Sequence, residues 1–351
     1  VHSLPAAAAN RIDLVQRSGA NPIAPQRCSM LRAGTGTTRS AVTTGLFTHE
    51  HCTRHDMGDW HPESPARLAA IMEYLKASGL LSELEEHEAV HASREALARA
   101  HPESYLAALD RLHPPEGLSW ADPDTALNIY TLDAAARAAG GVVAAVQAVL
   151  AGSLANAFCA VRPPGHHAER AMAMGFCFYN NVAVGVHEAL ASGIERIAVV
   201  DFDVHHGNGT VDIFKDEPRV LVCSSFQHPF YPNRGHDVDR PNIVNTPLAE
   251  GTRGVQFRQR VEADWLKKLD AHAPQLVLVS AGFDGHARDP LGGLELHEPD
   301  FRWVTELIAD VAARHAGGRI VSVLEGGYDL DALARSVDVH VQVLRASDRS
   351  T

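Results

Sequence analysis

The chain has 351 residues, with 31 Lys and Arg against 43 Asp and Glu and a formal net charge of -12 at neutral pH. That balance argues against a nucleic-acid or anionic-membrane partner, which would need a basic face, and it favours cationic substrates. The five cysteines (Cys28, Cys52, Cys159, Cys177 and Cys223) form no C-x-x-C pair, which argues against a disulfide framework or a thiolate zinc site and points to a reducing, cytoplasmic setting.

The first 41 residues carry five arginines and a single acid among many small residues. This composition resembles an organellar transit peptide and equally fits a disordered extension. The segment is set apart, and one domain is expected over 42–351. The Ala-rich stretch at 134–151 is interrupted by Gly140 and Gly141, so no membrane span of about 20 apolar residues is expected.

Short, continuous apolar runs recur at AFCAV (157–161), RIAVVDF (196–202), RVLVCSS (219–225), QLVLVSA (275–281) and RIVSVLEG (319–326). Runs of this kind predict parallel strands covered on both faces. Helical patterns lie between them, at 180–193, 255–272 and 299–318, the last opening on Pro299 and closing on Gly317 and Gly318. The alternation predicts an α/β fold: a three-layer, single-domain parallel sheet with helices on both faces. Polar clusters follow each strand, where such sheets bind ligands: RPPGHH, DVHHGN, SSFQHPFYP, AGFDGHARDP and EGGYDL.

Asp201, Asp203 and His205 are read as same-face positions of one strand, about 6.6 Å apart in succession. Asp203 and His205 can then grip one ion, and Asp201 falls behind them. Asp284 offers a third ligand from another strand end. Two carboxylates and an imidazole leave an open position, as catalytic zinc sites do, and the same donors accept Fe2+, Co2+ or Mn2+. A lone D-x-H is more often a capped turn, but five polar clusters at five strand ends are not.

His166 and His167, held by Pro163, Pro164 and Gly165, supply two proton carriers, each needing a partner for its second nitrogen. Asp201 suits His166 and favours its charged form. Asn208 suits His167 and leaves it neutral enough to take a proton from metal-bound water and return it to a leaving amine. Tyr328 can donate its phenolic proton to a carbonyl oxygen, with Gly326 and Gly327 letting the backbone approach the ligand.

Taken in this order, RPPGHHA, DFDVHHGNGT, AGFDGHARDPLGG and EGGY resemble the zinc-dependent histone deacetylase superfamily, its bacterial and class II type above all. GLFTHEHCTRHDMGDWHPESPARL carries the resemblance toward the start. The resemblance implies an arginase/deacetylase fold and hydrolysis of acetyl-lysine peptides or related acylated amines. It implies one zinc ion held by Asp203, His205 and Asp284, with His166, His167 and Tyr328 as the family's tandem histidines and tyrosine. It further implies an acyl-lysine tunnel walled by Phe176 and by Tyr231, where many relatives carry phenylalanine, with Gly165 at its floor.

An acidic rim residue falls at Asp124, with Asp122 a close rival. A structural K+ is implied around Asp201–His205 and Ser224, although Phe226 stands where relatives commonly carry a histidine. At Leu291 the polyamine-preferring branch places a glutamate, so acetyl-lysine is expected to be favoured over N8-acetylspermidine. Two rival readings are a binuclear ureohydrolase, for which Asp284 and His286 do not form the expected D-x-D, and a non-catalytic acyl-lysine binder. A homo-oligomer is compatible with all of these.

Overall fold

A computed structural model describes residues 43–347; the reading of residues 1–41 and the domain boundary beside them lie outside the described residues. Ten strands occur there: β1 (Thr43–Thr48), β2 (Glu85–Glu88), β3 (Ser119–Asp122), β4 (Thr125–Leu127), β5 (Leu154–Cys159), β6 (Ile197–Asp201), β7 (Val220–Gln227), β8 (Ile243–Leu248), β9 (Leu276–Ala281) and β10 (Ile320–Leu324). Eight form one sheet in the order β2-β1-β5-β10-β9-β6-β7-β8. Every pairing within it is parallel, and β3 and β4 form a separate antiparallel hairpin.

The central strands are the apolar runs of the sequence, and β6, β9 and β10 are buried along their whole length. The strands that periodicity did not reveal include the two edges. β2 is EEHE and largely exposed, while β8 contains Asn245 and Pro247; an edge strand is free to be polar and to carry proline.

The helices are α1 (Ala66–Ala77), α2 (Arg94–Ala100), α3 (Glu103–Leu112), α4 (Thr131–Ala151), α5 (Asn181–Ala191), α6 (Asn208–Phe214), α7 (Gly254–His272), α8 (Glu298–His315) and α9 (Leu330–Ser347). One layer is built around α4 and α5, the other around α1, α7, α8 and α9.

Helix α4 corrects the expectation of a broken Ala-rich segment, because it runs for 21 residues straight through Gly140 and Gly141. A methyl at Gly140 would sit 1.9 Å from the Val90 carbonyl oxygen, and one at Gly141 would sit 2.9 Å from Ala89 Cβ. The glycines admit the chain after β2 rather than ending the helix. By length and composition α4 could cross a membrane, but it packs against α5, β5, β1 and β10 as a core helix.

Because the sheet is parallel, the loops following β5, β6, β7, β9 and β10 emerge at the same edge of the sheet. There the five polar clusters meet.

Candidate active site and metal centre

Strand β6 ends at Asp201, so Asp203 and His205 are not on its face as the alternating reading required. They lie in a loop folded by its own side chains: Asp201 Oδ1 accepts the Asp203 N–H at 3.1 Å, and Asp203 Oδ1 accepts the His205 N–H at 2.9 Å. Successive Asx turns thus bring Asp203 and His205 together where an extended strand would have spread them. After them Asn208 opens α6.

The donor atoms of Asp203, His205 and Asp284 lie within 4.8 Å of one another, all buried. His205 Nδ1 stands 3.1 Å from Asp203 Oδ1 and 3.2 Å from Asp284 Oδ2. The outer oxygens are held by backbone, Asp284 Oδ1 by Val204 N–H at 2.9 Å and Asp203 Oδ2 by Gly326 N–H at 2.9 Å. A Cβ on Gly326 would fall 1.9 Å from Asp284 Oδ2, so only glycine fits.

The centre calls for positive charge. Burial and the neighbouring Asp203 push the Asp284 carboxyl up to about 7, and the two carboxylates raise His205 to about 10 against its burial. No Lys or Arg pairs with Asp203 or Asp284 among the described residues. Two carboxylates without a Lys or Arg partner, an imidazole and convergent lone pairs fit a divalent ion. His286 does not join them; it belongs to a separate cluster with His297 and Glu298, so the second carboxylate pair of a binuclear centre is not formed here.

The paired imidazoles meet different partners. His166 Nδ1 meets Asp201 Oδ2 at 3.0 Å, and its Nε2 faces Asp203 Oδ2 at 3.8 Å. Burial opposes charge on His166, but Asp203, Asp201 and Glu325 outweigh it and hold its pKa well above the ordinary value. His167 Nδ1 meets Asn208 Oδ1 at 2.7 Å. The Asn208 amide is oriented by donating to Glu169 Oε1 at 2.8 Å, so Nδ1 of His167 carries the proton and Nε2 keeps a lone pair. Burial, with His166 and His205 nearby, holds His167 well below its ordinary value.

These groups border a cavity of about 500 Å3. Phe176, Tyr231, Leu291, Asp124 and Tyr328 all line it, as the sequence reading placed them. Phe176 adopts φ 68°, an uncommon backbone for a side chain, directly after Gly175, and its N–H is held by Thr125 Oγ1 at 3.0 Å. Its ring meets Tyr328 edge-on at 6.1 Å, and Tyr231 stands edge-on to His167 at 5.2 Å. Between the two rim candidates, Asp124 faces the cavity, while Asp122 accepts the Asp124 N–H at 3.0 Å.

Two placements are corrected. Gly165 does not line the cavity; it packs where a Cβ would meet Asn181 N at 2.5 Å, and its N–H donates to Glu325 at 2.7 Å. Gly175 lies there instead, where a Cβ would strike the His167 ring at 2.5 Å. Gly327 also turns away, giving its carbonyl to Arg67 Nε at 2.6 Å, and Gly326 takes the lining place.

Sequence reasoning missed the support behind Tyr328. Arg67 lies 4.9 Å over the phenol ring and is paired with the fully buried Glu63, which also binds Arg162. Burial raises the Tyr328 hydroxyl well above its ordinary range despite the Arg67 charge, so the phenol stays a donor. HPESPAR held the only signal, two charges four residues apart beside a proline. Sequence reasoning also missed Gln227, at the end of β7, and Glu250, in the loop after β8, both of which line the cavity.

A parallel α/β sheet with a buried Asp-His-Asp donor set and two imidazoles of opposite bias at the base of a cavity defines a candidate mononuclear divalent-metal centre. A family model for the histone deacetylase domain matches residues 61–344. The histone deacetylase-like amidohydrolase of Pseudomonas aeruginosa is 41% identical over 310 residues, 81% of each chain. The mouse polyamine deacetylase HDAC10 is 36% identical over 323 residues, 86% of this chain and 48% of the relative. Among solved structures, the HDA15 HD domain matches with a TM-score of 0.83 and 32% identity, covering 88% of this chain and 89% of that one. The chain belongs to the histone deacetylase family, and it is a hydrolytic deacetylase with that family's arginase-like fold.

Proposed function

We propose that the protein is a zinc-dependent amidohydrolase that removes acetyl groups from lysine side chains or related acylated amines, its catalytic domain running from residue 42 to the end of the chain. The observation that carries this reading is the convergence of Asp203, His205 and Asp284 beneath a cavity whose base also holds His166, His167 and Tyr328. A divalent ion held by those three residues would supply Lewis-acid polarisation and acidify water.

The rest is the work of the chain. Phe176 and Tyr231 border the methylene stem, and Asp124 at the rim accepts hydrogen bonds from the substrate backbone. His167 Nε2 takes the proton of the attacking water, and Tyr328 donates a hydrogen bond to the carbonyl oxygen as the carbon becomes tetrahedral. His166, charged between Asp201 and Asp203, stabilises the negative charge that develops. The C–N bond breaks as His167 returns the proton to the amine, leaving acetate and a free amine.

The Ser224 hydroxyl is buried without a hydrogen-bond partner beside the Asp201 strand end, which supports the implied K+ site; Phe226 packs edge-on to His206 at 4.6 Å, filling the place of the histidine that relatives carry. The buried free thiols Cys52, Cys159, Cys177 and Cys223 support a cytoplasmic setting.

The test is turnover of acetyl-lysine peptides, longer acyl-lysines and acetylated polyamines by zinc-loaded protein. Release of acetate from at least one class, lost on chelation and restored by zinc, is expected. Binding of acyl-lysine without release of any acid from any substrate would return the protein to the non-catalytic reading.

A further inference from the structure

The mechanism leaves one cavity group without a task. Glu250, in the loop between β8 and α7, lines the cavity while its side chain remains exposed, which places it toward the mouth. Its loop is tied to the one that carries Leu291: the Gly251 N–H donates to the Gly293 carbonyl at 2.7 Å, and a Cβ on Gly293 would touch Glu250 Cγ at 3.0 Å. Gln227, 4% exposed, braces the same corner by accepting the Gly293 N–H at 2.7 Å. Its amide nitrogen has no hydrogen-bond partner among the described residues, so this wall presents a free donor beside a free carboxylate.

No Lys or Arg lines the cavity, and neither Glu250 nor Asp124 has an ion-pair partner among the described residues. Two carboxylates on different walls of a partly enclosed space raise its attraction for cations well above that of either alone. The apolar stem between Phe176 and Tyr231 needs no charge, and the Asp203–Asp284 pair is served at the base. The unmet demand lies at the mouth, beyond the stem.

We infer that Glu250 is a specificity-determining residue that selects acylated amines carrying a further cationic nitrogen beyond the methylene stem. The inference rests on the deacetylase reading. Such a nitrogen has two sources, a basic side chain next to an acetyl-lysine or the remaining ammonium of an acetylated polyamine. Glu250 thereby puts a carboxylate beside Leu291 from a neighbouring loop, and the leucine does not by itself disfavour cationic substrates.

The experiment measures kcat/KM on zinc-loaded full chain for two matched pairs: an acetyl-lysine peptide with flanking arginine against the same peptide with citrulline, and N8-acetylspermidine against an uncharged N-acetylalkylamine of equal length. In each pair the ratio of cationic to neutral substrate is the readout. Glu250→Gln is expected to lower the ratio about fivefold at low ionic strength in one arm or both, and the arm that responds identifies the source. An unchanged ratio in both arms overturns the proposal. The same ligands are titrated calorimetrically onto Tyr328→Phe with and without Glu250→Gln. If no substrate is turned over yet Glu250→Gln abolishes tighter binding of the charged ligand, the deacetylase reading fails and the role of Glu250 stands.

Discussion

Among the described residues, two clusters bring three potential metal donors within 4.8 Å of one another, Asp203–His205–Asp284 and His286–His297–Glu298. Their chemistry differs. In the second, His286 Nδ1 accepts the Arg288 N–H at 3.1 Å, so its Nε2 carries the ring proton and faces Glu298 Oε1 at 3.7 Å. Glu298 is already neutralised by Arg335 Nε at 2.5 Å, and the His297 ring caps the first turn of α8. In the first, lone pairs converge and no Lys or Arg among the described residues pairs with the carboxylates. Proximity of donors does not make a metal centre; free lone pairs and carboxylates not already tied up by arginine do.

The largest effect that could break this comparison is on metal content. Asp284→Ala is expected to lose the bound ion and all measurable turnover, whereas His297→Ala keeps one ion per chain. Elemental analysis of both variants decides it, and two tightly held transition metals per chain, both needed for turnover, would erase the distinction and revive a binuclear reading.

Beside the first cluster, the imidazoles of His166 and His167 sharpen the contrast between a charged and a neutral partner. Tyr328→Phe removes a transition-state hydrogen bond worth roughly 2.7–4 kcal/mol, so kcat should fall about 10²–10³-fold with the ion retained. His167→Ala should cost at least as much. A nearly neutral His167→Ala beside a crippling His166→Ala would show that the roles set by Asn208 and Asp201 are reversed.

The smallest effect concerns a histidine that belongs to neither cluster. His340 is fully buried, its ring nitrogens held by Thr305 Oγ1 at 2.7 Å and Ser322 Oγ at 2.8 Å, and burial lowers its pKa to about 3. Between about 3 and the unfolded value near 6.5 the unfolded chain binds a proton that the folded one refuses. The stability this neutral histidine contributes is present above pH 6.5 and is lost as pH falls toward 3, by up to about 1.4 kcal/mol per pH unit. Urea midpoints from pH 7 to pH 4 should fall less steeply in His340→Gln than in the parent; parallel slopes would show that His340 does not titrate on unfolding.

The central strands and the residues of the centre were legible in the sequence because each is a local pattern. A doubly covered parallel strand must be continuously apolar, and the loop after it must carry the ligand-facing groups. The opposite bias of an Asp-paired and an Asn-paired imidazole was legible from charge, since a carboxylate and an amide act differently on the ring, but charge alone did not say which histidine meets which partner. The Asx turns at Asp201 and Asp203 were not, because alternation and a turn place the same residue types at the same spacing.

What tertiary structure alone decided lies across long separations. Glu63 and Arg162 stand 99 residues apart, yet meet fully buried behind Tyr328. Gly140 and Gly141 read as a break and proved to be a contact surface, since only the packed chain after β2 gives a missing side chain its meaning. Gly165 and Gly327 read as cavity lining, yet Gly175 and Gly326 line it, because packing against Asn181 and Arg67 turns the first two away. Glu250 offered no pattern: a single acid in a loop acquires a role only when the sheet sets that loop beside Leu291 and leaves its charge without a counterion.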